Sequence, residues 1–474
     1  MTPNTATSTI GSSPPDPLST TTTREERKVL AATLVGTSVE WYDFFVYAQA
    51  AGLVLAPAFF GPMVKESPGM AQLLAFATIG ISFVFRPLGA VVCGYLGDRF
   101  GRKMVLVMTL LLMGASTALI GVLPTYAQIG VWAPILLIVL RLAQGFSAGG
   151  EWGGAALMSV EHAPVNKRSF FGSFPQIGVP IGMLIATGVL LLIHELMGKE
   201  QFLAWGWRLP FLFSIVLIFV GSWIRRTVEE SPVFAQMAQR RKESSAPLGQ
   251  LFKHNTREVV LTALIFMANN AAGYLLIAFF IAYGAKTLGM PQSELLMIST
   301  ASAVAWLVFT VIGGLLGDKI GRVRTFQIGY VILALWAIPM WFLIDSKDLA
   351  LFAVAALVLT VPLGLTYGPQ AALYAEMFPA KVRYSGVSIG YALGAIIGGA
   401  FAPTIAEWIM TSWGKTSIIG VYMVVLSIIS LIAVSLVKDV MGVDLHVKEV
   451  HEEYLHAHPE AASRDHGVAG EVQR

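Results

Sequence analysis

Five charged side chains stand where the surrounding sequence offers them no water: Glu40 and Asp43 in Val39-Glu40-Trp41-Tyr42-Asp43-Phe44, Arg86 in Arg86-Pro87-Leu88-Gly89-Ala90, and Arg141 and Glu151 in the run Arg141–Leu157. From Val29 to Val64 the two acids are the only Asp, Glu, Lys or Arg residues. A charge near the middle of a bilayer costs about 2.5–3.5 kcal/mol on insertion scales, so such residues face a cavity or a partner. Three acids against two arginines leave one carboxylate without a full positive partner, and low-dielectric surroundings favour its protonated form. When that carboxylate is protonated an arginine is free to hold an anion; when it ionises it competes for the arginine, and proton and substrate binding become linked. Glu40 and Asp43 are three residues apart and share a helix face. At about 1.5 Å of rise per residue, Arg86, Arg141 and Asp43 all fall near mid-depth in their helices, so Asp43 is expected to meet Arg141. A structural ion pair pinning two helices is the plainer alternative.

The elements that must position these groups are membrane helices. Of 474 residues, 55% are hydrophobic and 13% charged, with mean hydropathy +0.68, whereas a soluble domain carries roughly 25% charged residues. A spanning helix needs about 20 apolar residues, and twelve segments qualify: 29–56, 71–97, 104–123, 131–160, 170–193, 207–224, 259–285, 295–316, 325–344, 349–375, 385–407 and 416–437. The tails and the loops after even-numbered spans hold 24 Lys/Arg and the loops after odd-numbered spans hold five, which places both termini in the cytoplasm. Residues 1–28 are expected to be a disordered tail, 29–224 and 259–437 two six-helix bundles, 225–258 a charged cytoplasmic linker, and 438–474 a cytoplasmic tail. The net charge of +3 is too small to suggest a nucleic-acid partner. The partners expected are the bilayer of the plasma membrane and a small-molecule substrate, with the chain a monomer.

A repeat supports the division. Gly94-Tyr95-Leu96-Gly97-Asp98-Arg99-Phe100-Gly101-Arg102 after span 2 returns as Gly314-Leu315-Leu316-Gly317-Asp318-Lys319-Ile320-Gly321-Arg322 after span 8, and Glu161-x-x-Pro164-x-x-x-Arg168 returns as Glu376-x-x-Pro379-x-x-x-Arg383 after span 10. Copies separated by an even number of spans lie on one membrane side, so the halves are parallel repeats that can rock about a central cleft. Asp98 is placed to accept hydrogen bonds from a helix N-terminus of the other half. The second copy, with Lys319 for an arginine and Val323 for a second basic residue, is the weaker lock on sequence grounds, and a plain surface turn is its alternative.

These motifs carry a resemblance. Gly94–Lys103 resembles the signature loop of the major facilitator superfamily, and "EWYDF", "RPLGA", "RLAQGFSAGGEWGGAAL" and "WGWRLPFL" resemble the metabolite:proton symporters, carriers of shikimate, dicarboxylates, proline and betaine. The resemblance implies an all-α membrane fold of twelve helices in two bundles and proton-coupled uptake by alternating access. It implies a coupling pair Asp43–Arg141; by the residues themselves Glu40 and Glu151 are further candidates for the proton, with a pair to Arg86 as the alternative for Glu151. It also implies a cytoplasmic gate of Asp98, Arg99, Arg102, Glu161, Arg168, Asp318, Arg322, Glu376 and Arg383. Arg86, Arg141, Tyr42, Gln176, Asn269, Asn270, Tyr274, Tyr367, Gln370 and Tyr391 are the substrate-binding candidates, and for each neutral group an ordinary interhelical hydrogen bond is the alternative.

Other chemistry lacks its residues. All eight histidines lie in loops or the tail, so no metal centre or other cofactor is expected beyond the coupling proton. Gly414-Lys415-Thr416-Ser417 ends like a phosphate-binding loop, but the first glycine of that motif would have to be residue 409, which is Ile. No nucleophile–base arrangement suggests an enzyme. Two mid-depth arginines favour an organic acid such as shikimate or a dicarboxylate; an osmolyte of the proline or betaine type, and an exporter or uncoupled facilitator, are the alternatives.

Overall fold

The computed structural model describes residues 23–61, 68–100, 102–226 and 247–439. Among the described residues it is all-helical, without strands. Nine of the described helices are long and apolar enough to cross a membrane, and the pair Arg322–Trp336 and Pro339–Asp345, bent by 46°, makes a tenth. The two other expected spans are the first helix, Thr23–Ala50, and the shorter apolar helix of span 6, Arg208–Trp223. The first helix begins six residues before the expected boundary, and the linker contains a helix of its own, Pro247–His254.

Local sequence explains where the spans break. Span 2 divides between Pro68–Val84 and Arg86–Phe100. Pro87 has no N–H to give the preceding turn and disfavours helical geometry at Arg86. The break therefore sets Arg86 at the start of a new helix. The prolines of span 5 behave differently, for Pro175 and Pro180 lie inside the one helix Arg168–Gln201. Span 10 ends one helix at Tyr367 and starts the next at Gln370, with Pro369 between. Wider π-helical turns interrupt span 1 at Ala51–Leu55, span 7 at Leu275–Phe279 and span 11 at Ala395–Ala400. Such turns loosen the regular backbone ladder and are frequent at functional sites.

Within the first half, spans 2 and 4 pack backbone to backbone. A Cβ at Gly145 would lie 1.8 Å from the Ser82 carbonyl oxygen, and one at Gly149 would lie 1.9 Å from that of Arg86. Only glycine admits that approach, and it fixes Arg86 against the helix that carries Arg141. Arg208, at the start of span 6, donates Nη1 to the carbonyls of Gly121 (2.8 Å) and Leu123 (2.7 Å) at the end of span 3. A cation there satisfies carbonyls that the helix leaves unpaired. The third mid-chain arginine is thus a helix cap.

Candidate functional site

The two inner arginines share one aromatic ring. The guanidinium carbon of Arg86 lies 4.7 Å from the centre of Phe44 and 4.0 Å from that of Phe83. That of Arg141 lies 4.8 Å from Phe44 and 3.7 Å from Tyr47. The two charges are therefore no further apart than the sum of their distances to Phe44. Ring faces stabilise desolvated cations but use no N–H donors. Arg86 Nε and Nη2 and Arg141 Nη2 are buried without a hydrogen-bond partner. Tyr274 stands edge-on to both Phe44 (6.3 Å) and Phe83 (5.1 Å), bringing span 7 of the second half against this group. Its hydroxyl is also buried without a partner.

Asp43 is fully buried, but it does not meet Arg141 directly. Among the described residues no ion pair joins them, and Asp43 Oδ1 instead accepts from the Ser214 hydroxyl of span 6 at 2.5 Å. The expected contact is replaced by intermediates. Arg141 Nη1 donates to Gln144 Oε1 (2.6 Å), Gln144 Nε2 donates to Thr117 Oγ1 (2.7 Å), and Thr117 donates to the Met113 carbonyl (3.0 Å). The Thr117 hydroxyl also stands beside the Asp43 carboxylate as a hydrogen-bonding neighbour. Side-chain direction separates the two: Asp43 turns toward spans 3 and 6 while Arg141 turns toward Phe44 and Tyr47.

Glu40, on the same helix face, is buried and acts electrostatically on Tyr274, Tyr367 and Tyr391 of the second half. Glu151 is fully buried, with Oε2 at 3.5 Å from the Thr109 hydroxyl of span 3. An Arg86–Glu151 pair is not among the ion pairs of the described residues. Tyr42 packs inside the first bundle: its hydroxyl donates to the Pro210 carbonyl at 2.6 Å, so it is an interhelical tie.

A cavity lies between the halves, lined by Trp41 and Val179 from the first and by Phe266, Asn269, Asn270, Gly273, Tyr274, Ile277, Trp306 and Tyr367 from the second. Asn269 Nδ2 donates to the Leu363 carbonyl (2.9 Å) and to Thr366 Oγ1 (2.7 Å), tying span 7 to span 10. Asn270 Nδ2 reaches the Ala395 carbonyl at the π-helical turn of span 11 (3.2 Å). Asn269 and Asn270 thus make the interhelical hydrogen bonds held as the alternative, and they also line the cavity. The indole N–H groups of Trp41 and Trp306 are buried without partners. Neither tryptophan was singled out by sequence reasoning, nor were Gln144, Thr117 and Ser214. The spacing of Gln144, three residues after Arg141, was the one available signal.

Gln176 crosses between the halves: Oε1 accepts from Trp152 Nε1 (2.8 Å), and Nε2 donates to the Tyr367 carbonyl (3.2 Å) and Gln370 Oε1 (3.1 Å). Tyr391 lies 3.8 Å from Trp152 in a parallel stack and 4.5 Å from Phe266.

On the face of the even-numbered loops, the side chains of Asp98, Arg99 and Arg102 lie outside the described residues. Asp318 accepts the backbone N–H groups of Ser169 (2.9 Å) and Phe170 (2.8 Å) at the first turn of span 5, where the helix dipole favours a carboxylate. Arg322 bonds Glu376 at 3.0 Å and stands 3.8 Å from Asp318. Arg168 reaches Glu376 across the halves (3.7 Å), and Arg383 reaches Glu161 (3.8 Å).

Residues 44–392 and 272–454 match the family model described as Major Facilitator Superfamily. The chain belongs to the Major Facilitator Superfamily. This transporter is 41% identical over 418 residues to the inner membrane metabolite transport protein YhjE of Escherichia coli, covering 87% of this chain and 94% of that one. It is 38% identical over 446 residues to the shikimate transporter of Escherichia coli, covering 91% and 99%. To the proline/betaine transporter of Salmonella typhimurium it is 33% identical over 418 residues, covering 86% and 82%. The fold is that of the proton:xylose symporter XylE bound to 6-bromo-6-deoxy-D-glucose, with a TM-score of 0.73 at 19% identity over 90% of this chain and 99% of that one. The chain is a multi-pass metabolite transporter that works on a small molecule in a lipid bilayer, and not an enzyme.

Proposed function

We propose that this transporter takes up a small organic acid together with protons, with its termini and even-numbered loops in the cytoplasm. The observation that carries the reading is the pair Arg86 and Arg141, buried on Phe44 with unmet N–H donors beside a cavity between the halves. An arginine fork matches a carboxylate in charge and geometry. A cation pair of this kind is poorly neutralised until an anion arrives. Asp43, buried against the hydroxyls of Thr117 and Ser214, supplies the proton site. The likeness to a shikimate transporter supports a hydroxylated carboxylate, whose hydroxyls would meet Tyr274, Trp41 and Trp306.

A second reading rests on the cavity wall. Trp41, Phe266, Trp306 and Tyr367 line it, and aromatic faces suit a quaternary ammonium group. A betaine-type zwitterion would place its carboxylate on the arginines and its cation on these rings. Uptake into vesicles of purified protein, alkaline inside, of shikimate, succinate, proline and glycine betaine separates the readings. Accumulation of the acids alone supports the first and of the zwitterions alone the second; accumulation of none under a pH gradient contradicts proton-coupled uptake.

A further inference from the structure

The buried polar chain between Asp43 and Arg141 is complete at every link except one. Arg141 Nη1 donates to Gln144 Oε1, and Gln144 Nε2 donates to Thr117 Oγ1. A side-chain amide in this position is directional, because its acceptor end faces the cation and its donor end faces the hydroxyl. The Thr117 proton goes to the Met113 carbonyl four residues earlier on its own helix. Asp43 Oδ1 is taken by Ser214, while Oδ2 is buried without a partner. Oδ2 would lie 3.6 Å from a Cβ placed on Gly114, so it points at span 3. Gly114 and Thr117 are three residues apart and lie on one face of that helix.

We propose that Gln144 and Thr117 are positioning residues that carry the charge state of Asp43 to the Arg141 guanidinium. The Thr117 hydroxyl has one proton and two places to put it. When Asp43 is ionised, that proton turns from the Met113 carbonyl to Oδ2, since a hydrogen bond to a charged acceptor is stronger than one to a neutral carbonyl. The donation makes Thr117 Oγ1 a better acceptor for Gln144 Nε2, which in turn makes Gln144 Oε1 a better acceptor for Arg141; chains of hydrogen bonds strengthen one another in this way. Arg141 is then held back toward span 3. When Asp43 binds a proton, Thr117 returns to Met113, the chain slackens, and Nη1 joins Nη2 as a donor for an anion. The charged and titratable groups around this path are Glu40 and Tyr42 on span 1, Arg86 on span 2 and Tyr47 and Tyr274 against Arg141. Spans 3 and 6 face Asp43 with hydroxyls, Thr117 and Ser214.

This inference rests on the proposed role of Asp43, and its test reads the link without any transported substrate. The infrared carbonyl band of protonated Asp43, identified by its loss in Asp43→Asn, is titrated in purified protein in lipid vesicles. Arg141→Lys keeps the charge and loses the fork. It is expected to displace the midpoint by about tenfold in proton concentration in the wild-type background, and by less than twofold when Gln144→Leu or Thr117→Val is also present. Thr117→Ser, which keeps the hydroxyl, is expected to restore the displacement. A displacement of equal size in every background means that the charge is felt through space and overturns the relay; no displacement in any background overturns it as well. PH-driven uptake that survives Asp43→Asn would instead overturn the coupling role, and leaves the outcome of the infrared cycle standing by itself.

Discussion

Trp152 of span 4 lies flat on Tyr391 of span 11, 3.8 Å between ring centres and 10° from parallel. The contact joins the two halves, and Trp152 also donates to Gln176, whose amide bonds span 10. A rocking motion of the halves would part this stack. An aromatic pair contributes about 0.5–1.5 kcal/mol beyond its buried area, enough to shift a two-state equilibrium by a few-fold without abolishing either state.

Tyr391→Leu is accordingly expected to favour the state in which spans 4 and 11 separate. Spin labels on the loop-side ends of those spans should show a longer distance population that grows several-fold over wild type. An unchanged distance distribution would remove the stack from the gate.

Asp318→Asn should open the same face more strongly. The substitution leaves a neutral acceptor where a carboxylate takes two N–H groups of span 5, and hydrogen bonds to charged groups contribute about 1.5–3 kcal/mol each. Label accessibility at residue 171 from the even-loop side is expected to rise about tenfold. Equal accessibility would mean that the ion pairs Arg168–Glu376 and Arg383–Glu161 hold the face closed without it.

Gly149→Val is expected to prevent folding or to lower the melting temperature by several degrees. Its first added carbon would sit 1.9 Å from the Arg86 carbonyl oxygen, and relief requires moving span 2 away from span 4. Overpacking of this kind costs about 1–3 kcal/mol or more. A variant as stable as wild type, measured by thermal unfolding in detergent, would contradict the backbone contact.

Much of this architecture was legible in the sequence because the bilayer imposes lengths. Apolar runs near 20 residues, the loop asymmetry in Lys and Arg and the 220-residue echo of Gly97-Asp98 in Gly317-Asp318 suffice for the spans and the halves. The charges at 40, 43, 86, 141 and 151 were legible as inward-facing for the same reason. Their partners were not. Whether Asp43 finds Arg141 or Ser214 depends on helix rotation, and the π-helical turns in spans 1, 7 and 11 change rotation, the one in span 7 without a nearby proline to announce it. Asp318 meets backbone N–H groups of span 5, a contact that no side-chain pattern announces.

Arg141→Lys tests the anion site by substrate affinity. With charge retained and the fork lost, the apparent KM for the accumulated acid is expected to rise about tenfold or more, with maximal exchange reduced less. A KM unchanged within twofold would place the carboxylate elsewhere.

The account's central claim is that Asp43 carries the coupling proton. Purified Asp43→Asn protein, in vesicles with an alkaline interior and the substrate fixed by the uptake panel, is predicted to lose uphill accumulation while retaining exchange of internal for external substrate. Accumulation equal to wild type under the same gradient would contradict it.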